Sequence, residues 1–401
     1  MSEIKRIDLY VGNRRKGPSS WQKASESDFG ITHAQFHCVS GEVVTGDSFA
    51  NDISVGAMLH DANRDVLYVL DEALTLPGYH LGGGGQIAAF RRNQVTGKLD
   101  EFSRSPSFGT LPAYAALDTR SEFLIVVHHT GHTPITRTRS QANGTIAIEL
   151  AFDEASTVLF PLAPDGALMP PCDIFRHQGS GALPAQSHPQ LHGIARAPRH
   201  DFFVVCDKGA DRIHCFGLNR AEKTLVHHEN LTVTTPPGGS PRYCVFHPHL
   251  PIFYVNFETA PLIHAYRYDM AGAVELIQSL VPLPGPAEQP PKMMQSDLCI
   301  HPNGRHLYSL IRGSESVAVL DIDTEDGTLR PVQHISLGVE NARGAAISPD
   351  GRFFAVAAVL SKDVSVWPLD AAGRILAGVH RYPQRHPGCV LFVSSPCDPP
   401  D

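Results

Sequence analysis

Residues 296–312 read SDLCIHPNGRHLYSLIR, and residues 343–359 read RGAAISPDGRFFAVAAV. Each is a short apolar strand, a Pro-Asn-Gly-Arg or Pro-Asp-Gly-Arg turn, and a second apolar strand. Glycine supplies the positive φ that so tight a turn needs, and strands joined this way pair antiparallel. Outward along the chain the unit returns as Arg242-YCVFHP with IFYVNFE and as His192-GIARAP with FFVVCDK. It recurs again as Pro112-AYAALD with FLIVVHH and as Val55-GAMLHD with VLYVLDE. The anchors Pro198, Pro248, Pro302 and Pro349 lie about fifty residues apart, the length of a four-stranded propeller blade. A third strand is legible in some units, as in Val317-AVLDIDTEDGTL and Val364-SVWPLDAAGRIL.

Two ends are left over. Pro387-GCVLF is a first strand with nothing after it, and Ile7-DLYVGNR is a second strand with nothing before it. Joined, they complete a seventh unit. The expected fold is therefore all-β, a seven-bladed β-propeller closed by strands from both termini, one domain over residues 1–401. Such closure leaves no open sheet edge. The irregular stretch 131–154, rich in Thr, Arg, Ser and Asn, is expected to be a loop insertion.

Composition agrees. A hydrophobic share of 42% with 18% charged residues describes a globular chain, and 34 Gly and 32 Pro favour many turns over long helices. No apolar run is long enough to span a membrane, and the N-terminus lacks a signal-peptide pattern. The formal charge of −8 argues against nucleic-acid or membrane partners. The eight cysteines form no CxxC pair, which suits reduced thiols in a cytoplasmic protein.

Antiparallel pairing puts the start of each first strand and the end of each second strand at one mouth of the central channel. The second-strand ends are Arg14, Glu72, His129, Lys208, Glu258, Arg312 and Val359. The first-strand starts add His192, Arg242 and Arg343, with Asp297 beside Ser296. Cations outnumber acids in this ring, which points to a small anionic ligand. Arg242 and Arg312, with Arg14 or Arg343, can pair with carboxylate or phosphate, while His192 and Glu258 can move protons.

The ordered segments resemble the lactonase family of seven-bladed propellers, which includes propeller-type 6-phosphogluconolactonase and carboxy-cis,cis-muconate lactonizing enzyme. The resemblance rests on Ile174-FRHQGSG, His192-GIARAPRHDFFVVCDKGADRI, Ser240-PRYCVFHP, Tyr254-VNFE, Ser296-DLCIHPNGRHLYSLIRG and Pro387-GCVLF. It implies functional roles for His192, Arg242, Glu258 and Arg312. Three departures bear on substrate: Gln190-Leu191-His192 stands where the family often has His-x-His. Tyr243 and Lys208 likewise replace the usual His and Leu.

Three functions stay open on the sequence. One is a metal-independent lactonase acting on an anionic sugar-acid lactone without a cofactor. The second is a lactonizing cycloisomerase on a carboxymuconate-type dicarboxylate, and the third a non-catalytic binding platform. Glu72, His129, Lys208, Asp297, Arg14 and Arg343 would line the substrate. Neighbouring histidines (His128-His129 with His132, His227-His228, His247 with His249) lack the spacing of a metal site, so none is expected. Gly82–Gly85 is a turn, not a phosphate loop, and no G-x-S-x-G elbow occurs.

Overall fold

The computed structural model describes residues 6–14, 30–37, 42–80, 82–131, 134–269, 273–283 and 293–394. Seven sheets of antiparallel strands lie in a ring, each with its first strand innermost. Blade 1 runs Val55–Asp61, Val66–Asp71, Gln86–Arg92 and Leu99–Pro106, and blade 2 runs Pro112–Leu117, Phe123–His128, Ser156–Pro161 and Asp173–Arg176. Blade 3 is Leu191–Arg196, Phe202–Asp207, Arg212–Asn219 and Thr224–His227, with Val233–Thr234 pairing on its third strand. Blades 4, 5 and 6 begin with the inner strands Pro241–Phe246, Met294–Ile300 and Ala342–Ile347. Blade 7 joins Pro387–Ser394 to Arg6–Asn13, Gly30–His37 and Val43–Phe49, so strands from both ends of the chain close the ring.

The second strands are mostly apolar because neighbouring blades cover both their faces. Val66–Asp71, Phe123–His128, Phe202–Asp207, Ile252–Phe257 and Phe353–Ala358 are buried at every position. Phe203, with no exposure, packs with Leu191, Ile194 and Val205 against Val127 and Leu159 of blade 2. Truncating such a phenylalanine to alanine costs about 3–5 kcal/mol.

A second device locks blade to blade. Tyr10, Tyr68, Tyr254 and Tyr308 each donate a hydroxyl hydrogen bond to the carbonyl of Gly97, Gly166, Gly327 and Gly373, at 2.7–2.8 Å. Each acceptor sits in the turn before the outer strand of the following blade, at a φ of 66–88° that a side chain would strain. The tyrosines thus satisfy buried hydroxyls while fixing the angle between blades.

Every inner strand breaks register just inside the channel mouth. The breaks fall at Val55/Ala57, Pro112/Tyr114, Leu191/Ile194, Pro241/Cys244, Gln295/Leu298 and Ala342/Gly344, and opposite Gly12/Asn13 in blade 7. A bulge re-aims the side chains it carries, and these bulges carry His192, Arg242, Asp297 and Arg343.

The stretch expected as a loop insertion holds a hairpin. Ile135–Ser140 pairs with Ile146–Ala151 through a turn containing Asn143-Gly144, and most of its side chains are exposed. Asn-Gly is the turn dipeptide of a two-stranded hairpin, so the signal was present between two alternating runs. Among the described residues no helix is long and apolar enough to cross a membrane.

Candidate functional site

All eleven ring residues lie among the described residues, and the ladder sets them at one level. The amide N–H groups of Arg14, Glu72, His129, Lys208, Glu258 and Val359 donate to the carbonyls of His386, Ser54, Leu111, Gln190, Ser240 and Asn341. Each acceptor comes just before an inner strand. In blade 5, Arg312 is itself paired with Met294.

The side chains form two ion clusters. Glu258 receives three cations: its Oε2 lies 2.8 Å from Arg242 Nε and 3.2 Å from Lys208 Nζ, and its Oε1 3.8 Å from Arg312 Nη2. Glu72 receives two, with Oε2 2.5 Å from Arg14 Nη2 and Oε1 3.8 Å from Arg343 Nη2. Arg242 also stands over the Tyr243 ring at 4.9 Å. His192 packs edge-on against Tyr243 and His129, with ring centroids 4.8 and 5.7 Å apart. Gly193 makes this approach possible, because a Cβ there would come within 2.6 Å of the Arg242 carbonyl oxygen.

The two acids of the Asp207-Lys208-Gly209-Ala210-Asp211-Arg212 segment hold the scaffold. Asp207 Oδ1 accepts the amides of Gln190, Gly209 and Ala210, fixing the approach to His192. Asp211 accepts the amides of Gly238 and Ser240, fixing the approach to Arg242.

Electrostatics sort the roles. Burial, with Arg242, His129, Lys208 and Arg343 around it, holds the His192 imidazole well below the usual histidine range, so it is neutral at pH 7. Burial alone would push the Glu258 carboxyl up, but Lys208, Arg242 and Arg312 outweigh it and hold the group well below the usual carboxylate range. A carboxylate so stabilised is a feeble base, and Glu258 is better suited to anchor the cations than to carry protons. Burial and the neighbouring Arg242 bring Arg312 down to about 9, and burial with Arg343 brings Arg14 down to about 10. Asp297 moves the other way. Burial pushes its carboxyl up to about 6, although the amides of Ala345 and Leu298 each donate to it at 2.8 Å.

One feature dominates the chemistry. Arg242 Nη1 and Arg312 Nε are buried and find no hydrogen-bond acceptor, and His192 Nδ1 is also unpaired. Buried guanidinium N–H groups without acceptors are costly and mark where an anion belongs. A surface cavity of about 950 Å³ lies elsewhere on the propeller. Asp321, in its wall, already takes His306, Arg330 and Arg374.

Sequence reasoning missed Tyr114, which stacks edge-on with Tyr243 at 5.5 Å and whose hydroxyl burial raises well above the usual tyrosine range. Its place inside the apolar run PAYAAL concealed it. The pattern of adjacent histidines also concealed His177, Asp207 and His214, whose ligand atoms lie within 4.8 Å of one another. His132 lies outside the described residues.

Comparison with known proteins agrees with the propeller fold. The family model described as lactonase, seven-bladed beta-propeller, matches residues 9–392. The 6-phosphogluconolactonase of Bacillus subtilis is 23% identical over 82% of this chain and 85% of its own length. That of Serratia proteamaculans is also 23% identical, over 80% of this chain and 96% of its own. The structure of a Pseudomonas aeruginosa periplasmic gluconolactonase superposes with a TM-score of 0.81 at 24% identity, covering 98% of this chain and 100% of that one.

Proposed function

The chain belongs to the lactonase family of seven-bladed β-propellers, and on that premise we propose that it hydrolyses a sugar-acid lactone bearing an anionic group, of the 6-phosphogluconolactone kind. The observation that carries the anionic preference is the set of unpaired, buried guanidinium donors on Arg242 and Arg312.

The proposed reaction uses the chain's own groups. Arg242 and Arg312 bind the anionic group and polarise the lactone carbonyl as negative charge develops on its oxygen. His192, neutral and with Nδ1 free, accepts a proton from the attacking water. The tetrahedral intermediate collapses with cleavage of the bond between the acyl carbon and the ring oxygen. The imidazolium returns the proton to that oxygen, releasing the hydroxy acid. Glu258 keeps Lys208, Arg242 and Arg312 in place, and Asp297 accepts a hydroxyl of the sugar chain. Glu72, with Arg14 and Arg343, forms the opposite wall beside His129. The guanidinium groups supply the positive charge, so the step calls on no cofactor. The six described cysteines are free, which supports a cytoplasmic setting, and the net charge of −8 supports a small-molecule substrate over a nucleic acid or membrane surface.

The test is a panel of sugar-acid lactones and muconolactones with acid release followed by indicator. Rapid turnover of phosphorylated or carboxylated sugar lactones is expected. Absence of turnover on every lactone would overturn the proposal.

A further inference from the structure

Outside the channel, where blades 2 and 3 meet, lies a buried cluster that the proposed reaction does not use. His177 follows the outer strand of blade 2, Asp207 ends the second strand of blade 3, and His214 lies in its third strand. Their exposures are 6%, 0% and 4%. His177 Nδ1, Asp207 Oδ2 and His214 Nε2 all lack a hydrogen-bond partner. The separation of His214 Nε2 from Asp207 Oδ2, 3.7 Å, is too long for a hydrogen bond.

The opposite atom of each side chain is engaged. His177 Nε2 lies 2.9 Å from Thr157 Oγ1, and His214 Nδ1 lies 3.3 Å from His227 Nε2. His227 Nδ1 in turn faces Glu229 Oε2 at 3.4 Å, while Asp207 Oδ1 is taken by three backbone amides. One proton assignment satisfies this chain: His227 donates from Nδ1 to Glu229, His214 from Nδ1 to His227, and His177 from Nε2 to Thr157. Two imidazole lone pairs and one carboxylate oxygen then converge with no donor between them. Outer hydrogen bonds that fix tautomer and ring orientation are the usual support of metal-binding histidines.

We propose that His177, Asp207 and His214 hold a divalent transition-metal ion, of the Zn²⁺ class, that braces blade 2 against blade 3. Two imidazoles and a carboxylate are a donor set such ions favour, with a fourth position for water. Bonds of about 2.0–2.1 Å place tetrahedral ligand atoms about 3.4 Å apart, close to the His214–Asp207 separation. Asp207 also grips the Gln190 amide and precedes Lys208, so the ion would stiffen the strand ends that carry His192 and Lys208. This role is structural and leaves the lactone chemistry to the channel mouth.

The experiment is Zn²⁺ titration of the full chain after removal of metals, read by competition with a chromophoric chelator and by thermal melting. One equivalent should bind, with a rise in melting temperature, and Co²⁺ should give the visible bands of a four-coordinate centre. His214→Ala and His177→Gln should bind below about a tenth of an equivalent, with no thermal response. His177→Gln is the milder change, since it retains a polar side chain of similar length and leaves the Asp207 backbone contacts intact. His249→Ala, remote from the cluster, should bind as the parent does. Failure of the parent to bind, or unchanged binding in folded His177→Gln, would overturn the proposal and leave the cluster a hydrogen-bonded network.

Discussion

The channel mouth and the junction of blades 2 and 3 are both buried polar clusters with unsatisfied atoms, but the atoms have opposite character. At the mouth they are guanidinium donors of Arg242 and Arg312. At the junction, with the protons placed as above, they are acceptors: two imidazole nitrogens and the Asp207 carboxylate. A buried donor without an acceptor calls for an anion, and converging acceptors without a donor call for a cation. Within the mouth a lesser contrast operates. Glu72 offsets one of two guanidinium charges, whereas Glu258 faces three cations and leaves more positive charge for a guest.

The largest expected effect is on turnover. His192→Ala should lower kcat by about 10²–10⁴-fold, with the melting temperature nearly unchanged. A folded variant with near-parental kcat in a stopped-flow assay would show that the proton moves through another group. Next, Arg242→Ala or Arg312→Ala should weaken capture of an anionic lactone by about 30- to 5000-fold, the cost of breaking a buried charge pair of about 2–5 kcal/mol. Steady-state kcat/KM measures this, and equal losses on an uncharged lactone would remove the contrast drawn above.

Glu258→Gln should act on the fold. It leaves Lys208, Arg242 and Arg312 without their carboxylate, a loss of about 3–5 kcal/mol that added inorganic phosphate should partly restore in thermal melts. No response to phosphate would deny the mouth its anion-binding character. The Glu258 contribution is present above its ordinary pKa near 4.5 and lost as the pH falls toward its depressed folded value.

The Asp297 carboxyl, raised from 3.8 to about 6, gives a milder signature. The ionised form is the stronger acceptor for the substrate hydroxyl, so KM should climb as the pH falls through about 6 and become flat in Asp297→Asn. The sign for stability is opposite. The raised pKa favours the fold below 3.8, and that contribution is lost as the pH rises through about 6. A pH series of KM and melting temperature on both proteins tests the pair of trends.

Much of this was legible in the chain because propellers repeat. The turns at Pro302 and Pro349 set the period, and the leftover strands at Ile7 and Pro387 gave the closure. Counting to the strand ends placed His192, Arg242, Glu258 and Arg312 on one rim. What counting could not reach was how charges share neighbours. Glu258 looks like a proton carrier beside His192 until Lys208, Arg242 and Arg312 are seen around one carboxylate. The trio of His177, Asp207 and His214 was invisible for a related reason. Its members come from two blades and lie far apart in the sequence, whereas adjacent histidines in a strand point to opposite faces.

The central claim is that the free donors of Arg242 and Arg312 recognise the anionic group of a lactone. The most direct measurement is the ratio of kcat/KM for 6-phosphogluconolactone to that for unphosphorylated gluconolactone, in the parent and in Arg242→Ala and Arg312→Ala. The expected ratio in the parent is far above one, falling at least about tenfold in each variant as a charge-assisted contact of about 1.5–3 kcal/mol is lost. A parent ratio near one, or a ratio the arginine substitutions leave unchanged, would contradict the account.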